Sequence, residues 1–172
     1  MQKHGDIYHG CTFVQCFLFG VFFHFHDALP KGEQYVKTEI PGSISTKNMY
    51  TTVDKKEELD ALGGYLTQNR LTEKKVLLYG EIPAISYIFD MEPAVYTTWA
   101  DLRSNTLERL QADLDAITTD YPVVIVTDAI GQELSGNTSY VDEKLDAIAQ
   151  FLSRGNYQCG YAQKGYYVYT SQ

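Results

Sequence analysis

Two short apolar runs, Val76-Leu-Leu-Tyr79 and Val123-Val-Ile-Val126, constrain the fold of this chain more than any other feature. Neither run alternates polar with apolar residues. Each must therefore be covered on both faces, as the strands of a parallel sheet are. Stripes at helical spacing surround them. Leu107, Leu110, Leu114 and Ile117 recur along one side of a segment whose other side carries Glu108, Arg109, Asp113 and Asp115. Leu59, Leu62 and Leu66 precede the first run, and Val141, Leu145, Ile148 and Leu152 follow the second. Buried strands alternating with amphipathic helices imply a mainly parallel sheet with helices on both faces.

Local signals set the expected boundaries. Asp54-Lys-Lys-Glu57 has capping-box spacing and opens the first helix, and the Gly63-Gly64 pair inside it implies close packing on the sheet. After the first run, Gly80-Glu81-Ile82-Pro83 leads into a short helix over Ala84 to Asp90, with proline at its first turn. Ala94-Val-Tyr-Thr-Thr-Trp99 is rich in β-formers and reads as the second strand. Tyr121-Pro122 stops the next helix, Ala129 to Thr138 reads as a long loop, and Ser139 caps the last helix, which Gly155-Asn156 ends. Tyr157–Tyr161 and Gly165–Tyr169 form a hairpin. The expected fold is α/β: a three-layer sandwich, Rossmann-like or flavodoxin-like, with a mainly parallel sheet. Right-handed crossovers favour a core order of 2-1-3, with a C-terminal antiparallel hairpin beyond the third strand. Residues 54–172 are this α/β domain, and 31–53 are a connector with a loose alternation over Gln34–Ile40.

Residues 1–30 differ from the rest. Six of the eight Phe lie between Phe13 and Phe25, and all four His lie between His4 and His26. The uncharged run 11–25 spans about 15 residues, against the roughly 20 that a membrane-crossing helix needs. It reads as the remnant of a transmembrane helix, as a weak signal or anchor, or as a core helix; the aromatic weight favours the membrane readings. His24-x-His26-Asp27 has the donors for a metal but no third ligand at fixed spacing, so these residues mark where the apolar segment meets water. No metal is expected. Cys11, Cys16 and Cys159, odd in number and unclustered, read as free thiols.

With 14 Lys+Arg against 22 Asp+Glu, a formal net charge of -8, the chain has no general attraction for nucleic acid. It contains no glycine-rich dinucleotide or phosphate loop, no nucleophile elbow, and no His after residue 26. No catalytic residue and no cofactor are therefore assigned. Asn137-Thr-Ser139 fits a glycosylation sequon, a pattern common by chance. Ligands of open α/β sheets sit at the carboxyl ends of the strands. Glu81, Trp99, Asp101 and Asp128 follow the three expected parallel strands and are the candidate ligand-binding residues. An aromatic face beside carboxylate acceptors suits a sugar. The competing account makes the acids helix caps and Trp99 a core residue.

The apolar run ending in Phe25-His-Asp27, Gly42-Ser-Ile-Ser-Thr46, Tyr50, Val76-Leu-Leu-Tyr-Gly-Glu-Ile-Pro83, Tyr87, Tyr96-Thr-Thr-Trp99 and Tyr121-Pro-Val-Val-Ile-Val126 occur in that order. This order resembles the soluble C-terminal region of bacterial polytopic membrane proteins related to dolichyl-phosphate-mannose mannosyltransferase-type glycosyltransferases. The resemblance runs from about Phe22 to the end. It implies a non-catalytic accessory domain on the extracytoplasmic side of a bacterial cell membrane. Such a domain would be held to the membrane by the N-terminal segment and would contact a saccharide or cell-wall acceptor. That family's catalytic acids lie between early transmembrane helices, so none carries over. A stand-alone small α/β enzyme or ligand-binding protein with a site at the strand ends is the alternative, and a secreted interaction module a third reading.

Overall fold

A computed structural model describes residues 36, 37, 46, 49–136, 140 and 142–172. The apolar run 11–25, His24, His26, Asp27, Cys11, Cys16, most of the connector 31–53, the sequon Asn137-Thr-Ser139 and Val141 lie outside the described residues. The chain is mixed α/β. Strands β1 (Val36–Lys37) and β2 (Tyr50–Thr51) form a small antiparallel pair. Strands β3 (Val76–Tyr79), β4 (Val123–Thr127), β5 (Tyr157–Gln163) and β6 (Tyr166–Ser171) form one mixed sheet in the order β3-β4-β6-β5. β3 and β4 are parallel, and the pairs β4–β6 and β6–β5 are antiparallel.

The two apolar runs behave as their composition requires. Alternate residues of β3 and β4 enter two separate cores. Val76, Leu78, Val123 and Ile125 face Leu59, Leu62 and Leu66 of helix α1 (Val53–Gln68) and Ile85 and Ile88 of helix α2 (Ala84–Ile88). Leu77, Tyr79, Val124 and Val126 face Leu110 and Leu114 of helix α3 (Leu107–Ala116) and Leu145, Ile148 and Phe151 of helix α5 (Glu143–Arg154). Helix α4 (Asp128–Gly136) packs on the same side through Ile130 and Leu134. Each fully buried Leu or Ile contributes about 1.5–3 kcal/mol, so a strand feeding two cores is fixed from both directions.

Several expectations are corrected. The second strand does not form. The chain meets the sheet there at one parallel bridge only, Pro93 to Val76, just before the expected strand, closed by Val76 N–H to Glu92 O and Ala94 N–H to Val76 O at 2.8 Å each. Beyond it, side chains take the backbone donors: Asp113 Oδ2 accepts from Tyr96 N–H at 2.9 Å and Thr97 Oγ1 from Trp99 N–H at 3.1 Å. The segment expected as a loop over 129–138 is largely helix α4. Its Ile130 and Leu134 have the i,i+4 spacing of a buried face, and Gly131 leaves room for the Tyr167 ring, which would lie 2.2 Å from a Cβ there.

Two caps also differ. Helix α1 starts earlier than Asp54, with Thr52 accepting from Lys55 N–H at 3.3 Å, and Asp142, not Ser139, caps α5 by accepting from Lys144 N–H at 2.9 Å. Gly63 is buried as expected, but nothing lies within 4 Å of a Cβ on Gly64. The hairpin forms around Lys164-Gly165, both at positive φ (49° and 79°), the geometry of a two-residue turn that follows strand twist.

Candidate functional site

The carboxyl ends of β3 and β4 carry the residues singled out from the sequence. Directly after β3 the backbone enters left-handed space twice, at Gly80 (φ 105°) and Glu81 (φ 61°). Gly80 is required there on two counts. Its φ disfavours any L side chain, and a Cβ would fall 2.5 Å from Thr127 Oγ1 at the end of β4. This close approach draws the ends of the two parallel strands together.

The turn hands the Glu81 N–H to Asp101 Oδ2 at 2.7 Å. Glu81 and Asp101 are thus joined, through backbone on one side and carboxylate on the other. Asp101 belongs to a braced loop. Leu102 N–H donates to Trp99 O at 3.1 Å, Asn105 N–H to Leu102 O at 2.9 Å, Asn105 Nδ2 to Ala100 O at 2.9 Å, and Lys144 Nζ to Leu102 O at 2.8 Å. Ala100 is fully buried and anchors the loop. Trp99 beside it is 37% exposed, so its indole lies at the surface and not in the core.

Asp128 lies apart from this pair in its bonding. It begins α4, its N–H donates to Gly165 O at 2.9 Å, and its carboxylate accepts from Gln132 Nε2 at 2.6 Å. It shares the strand-end edge through Thr127, but no hydrogen bond links it to Glu81, Trp99 or Asp101 among the described residues.

The sequence reading missed two partners at this end. The buried Tyr79 hydroxyl donates to Asp142 Oδ2 at 2.5 Å, tying the end of β3 to the cap of α5. Burial, then the Asp142 hydrogen bond and charge, then the charges of Asp101 and Glu133, push the Tyr79 phenol far above its usual value of 10.0. Tyr79 therefore stays a neutral donor under an acidic rim. Tyr96 is the second: it is 73% exposed, and the Arg109 guanidinium lies 4.2 Å from its ring centroid. The i to i+13 separation of Tyr96 and Arg109 gave no signal, because it matches no helical spacing and residues 94–99 were expected as a strand.

A small pocket opens on the α1–α2 side of the same edge. It holds about 160 Å³ and is walled by Leu59, Ile82, Ile85, Ile88 and Tyr166, with Lys55 and Glu81 beside them. Among the described residues no group of three His, Cys, Asp or Glu is placed to hold a metal ion, and no helix is long and apolar enough to cross a membrane. Cys159 is a free thiol whose Sγ donates to Tyr161 O at 3.2 Å, and burial raises its pKa. No family model, curated protein or solved structure matches the chain.

Proposed function

We propose that this chain is a non-catalytic accessory domain that contacts a saccharide at the carboxyl end of its sheet, on the extracytoplasmic side of a bacterial membrane protein of the glycosyltransferase-like kind. The observation that carries this reading is the surface position of Trp99, next to buried Ala100 and two residues from Asp101. An indole held on a braced loop loses little freedom when a sugar ring stacks on it. Asp101 offers its second carboxylate oxygen to a hydroxyl while the first holds Glu81 N–H. Tyr96 adds an aromatic face to the same loop. The proposal takes the fold as a flavodoxin-like sheet of core order 2-1-3 whose edge strand has shrunk to one rung; the parallel pairing of Pro93 with Val76 supports that ordering.

Trp99 is the only tryptophan, so its emission reports on this position directly. Titration with cell-wall saccharides is expected to shift or quench it, and Trp99→Ala, followed by calorimetry, to lose about 1–3 kcal/mol of binding. Emission that no saccharide perturbs overturns the reading. Membrane attachment through residues 11–25 belongs to the same proposal, and flotation of the full chain with liposomes tests it.

A further inference from the structure

We infer that β5 is a homodimer interface, along which two copies of this chain pair antiparallel and join their sheets into one. The inference is independent of the saccharide reading, which concerns the opposite edge of the sheet.

The two edges of the sheet are finished differently. At the β3 edge all four strand residues are buried, and Val76 uses its outward N–H and C=O on Glu92 and Ala94. The β5 edge has no such cover. Gln158, Cys159, Gly160, Ala162 and Gln163 are exposed, and among the described residues no backbone hydrogen bond joins β5 to anything but β6. In an antiparallel ladder alternate residues turn N–H and C=O away from the partner strand. β5 therefore presents a row of donors and acceptors to a further strand.

Proteins that keep such an edge single place lysine, proline or a bulge on it. Tyr157-Gln-Cys-Gly-Tyr-Ala-Gln163 has no lysine, no proline and no charge of either sign. It has a bulge between Cys159 and Tyr161, but the residue there is Gly160, with no side chain to shield the edge. Gly160 answers to the inside of the molecule: a Cβ would fall 2.3 Å from the Tyr65 hydroxyl of α1. The bulge accommodates α1 and leaves the outer rim bare.

Two observations make the occupant a second copy. The chain carries a formal net charge of -8, so copies repel one another in general, while β5 is an uncharged strip on which they can meet. Pairing about a two-fold axis at Gly160 sets Tyr157, Gln158 and Cys159 against Gln163, Ala162 and Tyr161 of the second copy and brings no like charges together. The covered β3 edge then matters. One union uses the open edge of this sheet in each copy, so association closes at a dimer and does not run on into a fibre. The two Trp99 loops lie at the far edges of the joined sheet.

Sedimentation equilibrium of the full chain is expected to show reversible monomer and dimer and nothing larger. Ala162→Lys and Gln158→Lys, both at exposed positions, are each expected to weaken the dimer about tenfold and to leave the thermal midpoint in place. Association through residues 11–25 would survive both. In a Cys11→Ser, Cys16→Ser background the remaining thiol is Cys159. A short bismaleimide is expected to link two such chains through it, and to do so far less after Ala162→Lys. Amide exchange over β5 in the parent chain is expected to slow as protein concentration rises, while exchange over β3 stays constant. That readout decides the matter if a lysine variant fails to fold. A monomer at every concentration, a dimer indifferent to both lysines, open-ended oligomers, or β5 exchange independent of concentration would overturn the assignment.

Discussion

The Glu81 amide and the Asp101 carboxylate, 20 positions apart in the chain, meet at 2.7 Å and fasten the end of β3 to the loop that displays Trp99. The bond makes the position of the indole depend on the strand end rather than on the loop alone. Asp101→Ala leaves Glu81 N–H without its acceptor. Because the site is near solvent, the expected loss is about 1 kcal/mol in chemical denaturation. A larger consequence is expected in dynamics, as faster amide exchange over residues 99–105. Unchanged exchange there would mean that the other braces suffice.

Gly80→Ala is expected to destabilise the fold by about 3 kcal/mol, since it adds left-handed strain to a contact 2.5 Å from Thr127 Oγ1. Thr127→Ala in the same background removes the contact but not the strain, so thermal melts should recover only part of the loss.

The Tyr79–Asp142 bond is asymmetric. Tyr79→Phe frees a carboxylate that reaches water and should cost about 1 kcal/mol. Asp142→Ala strands a buried hydroxyl and removes the cap of α5, and should cost about 2–3 kcal/mol. The double variant is expected to lose less than the sum, and strict additivity in a double-mutant cycle would show that the bond contributes nothing.

Among the described residues six phenols have raised pKa values, those of Tyr65, Tyr79, Tyr140, Tyr157, Tyr161 and Tyr169, with burial the largest cause in each. A folded pKa above the unfolded one means that the native state holds the proton more tightly. The associated stability is fully present below about pH 10 and is lost as pH rises through the folded values. Thermal midpoints should therefore fall steeply above about pH 10, and the phenolate signal of these six, followed residue by residue, should rise with unfolding rather than before it. Early, unfolding-independent ionisation of all the tyrosines would contradict this.

Gly131→Ala drives a methyl into the Tyr167 ring, 2.2 Å away. A loss of about 2–3 kcal/mol is expected, largely relieved by Tyr167→Ala in the same chain, which vacates the space. Failure of that rescue would place the cost in the helix rather than in the contact.

The frame was legible because β3 and β4 are buried on both faces and leave no polar alternation to mislead. The hairpin and the stripes of α1, α3 and α5 followed from periodicity for the same reason. The segment 94–99 was not legible: its β-forming composition is real, but the backbone donors of Tyr96 and Trp99 go to Asp113 and Thr97, a competition that composition does not reveal. Helix α4 was hidden by its glycines and serine, although Ile130 and Leu134 carried its spacing. At the candidate site, Glu81 and Asp101 were expected together at the ends of two parallel strands; they meet instead through a loop, since residues 94–99 form no strand and the Asp101 carboxylate reaches back to the Glu81 amide. The pocket did not follow from sheet topology, because Lys55 and Leu59 lie in a helix that sequence order places before the sheet.

The central position of β6 bears on how the molecule assembles. This strand follows the other described strands in sequence yet lies between β4 and β5, pairing Val124, Ile125 and Val126 with Tyr169, Val168 and Tyr167. Until it arrives, β3 and β4 form a two-stranded fragment whose β4 edge leaves its backbone N–H and C=O groups unpaired between apolar side chains, and β5 has no partner strand. Such pairings over long sequence separation form late, and exposed strand edges recruit other chains while they wait. Refolding yield should consequently fall with protein concentration, and weakening β6 should increase aggregation before it lowers the stability of molecules already folded.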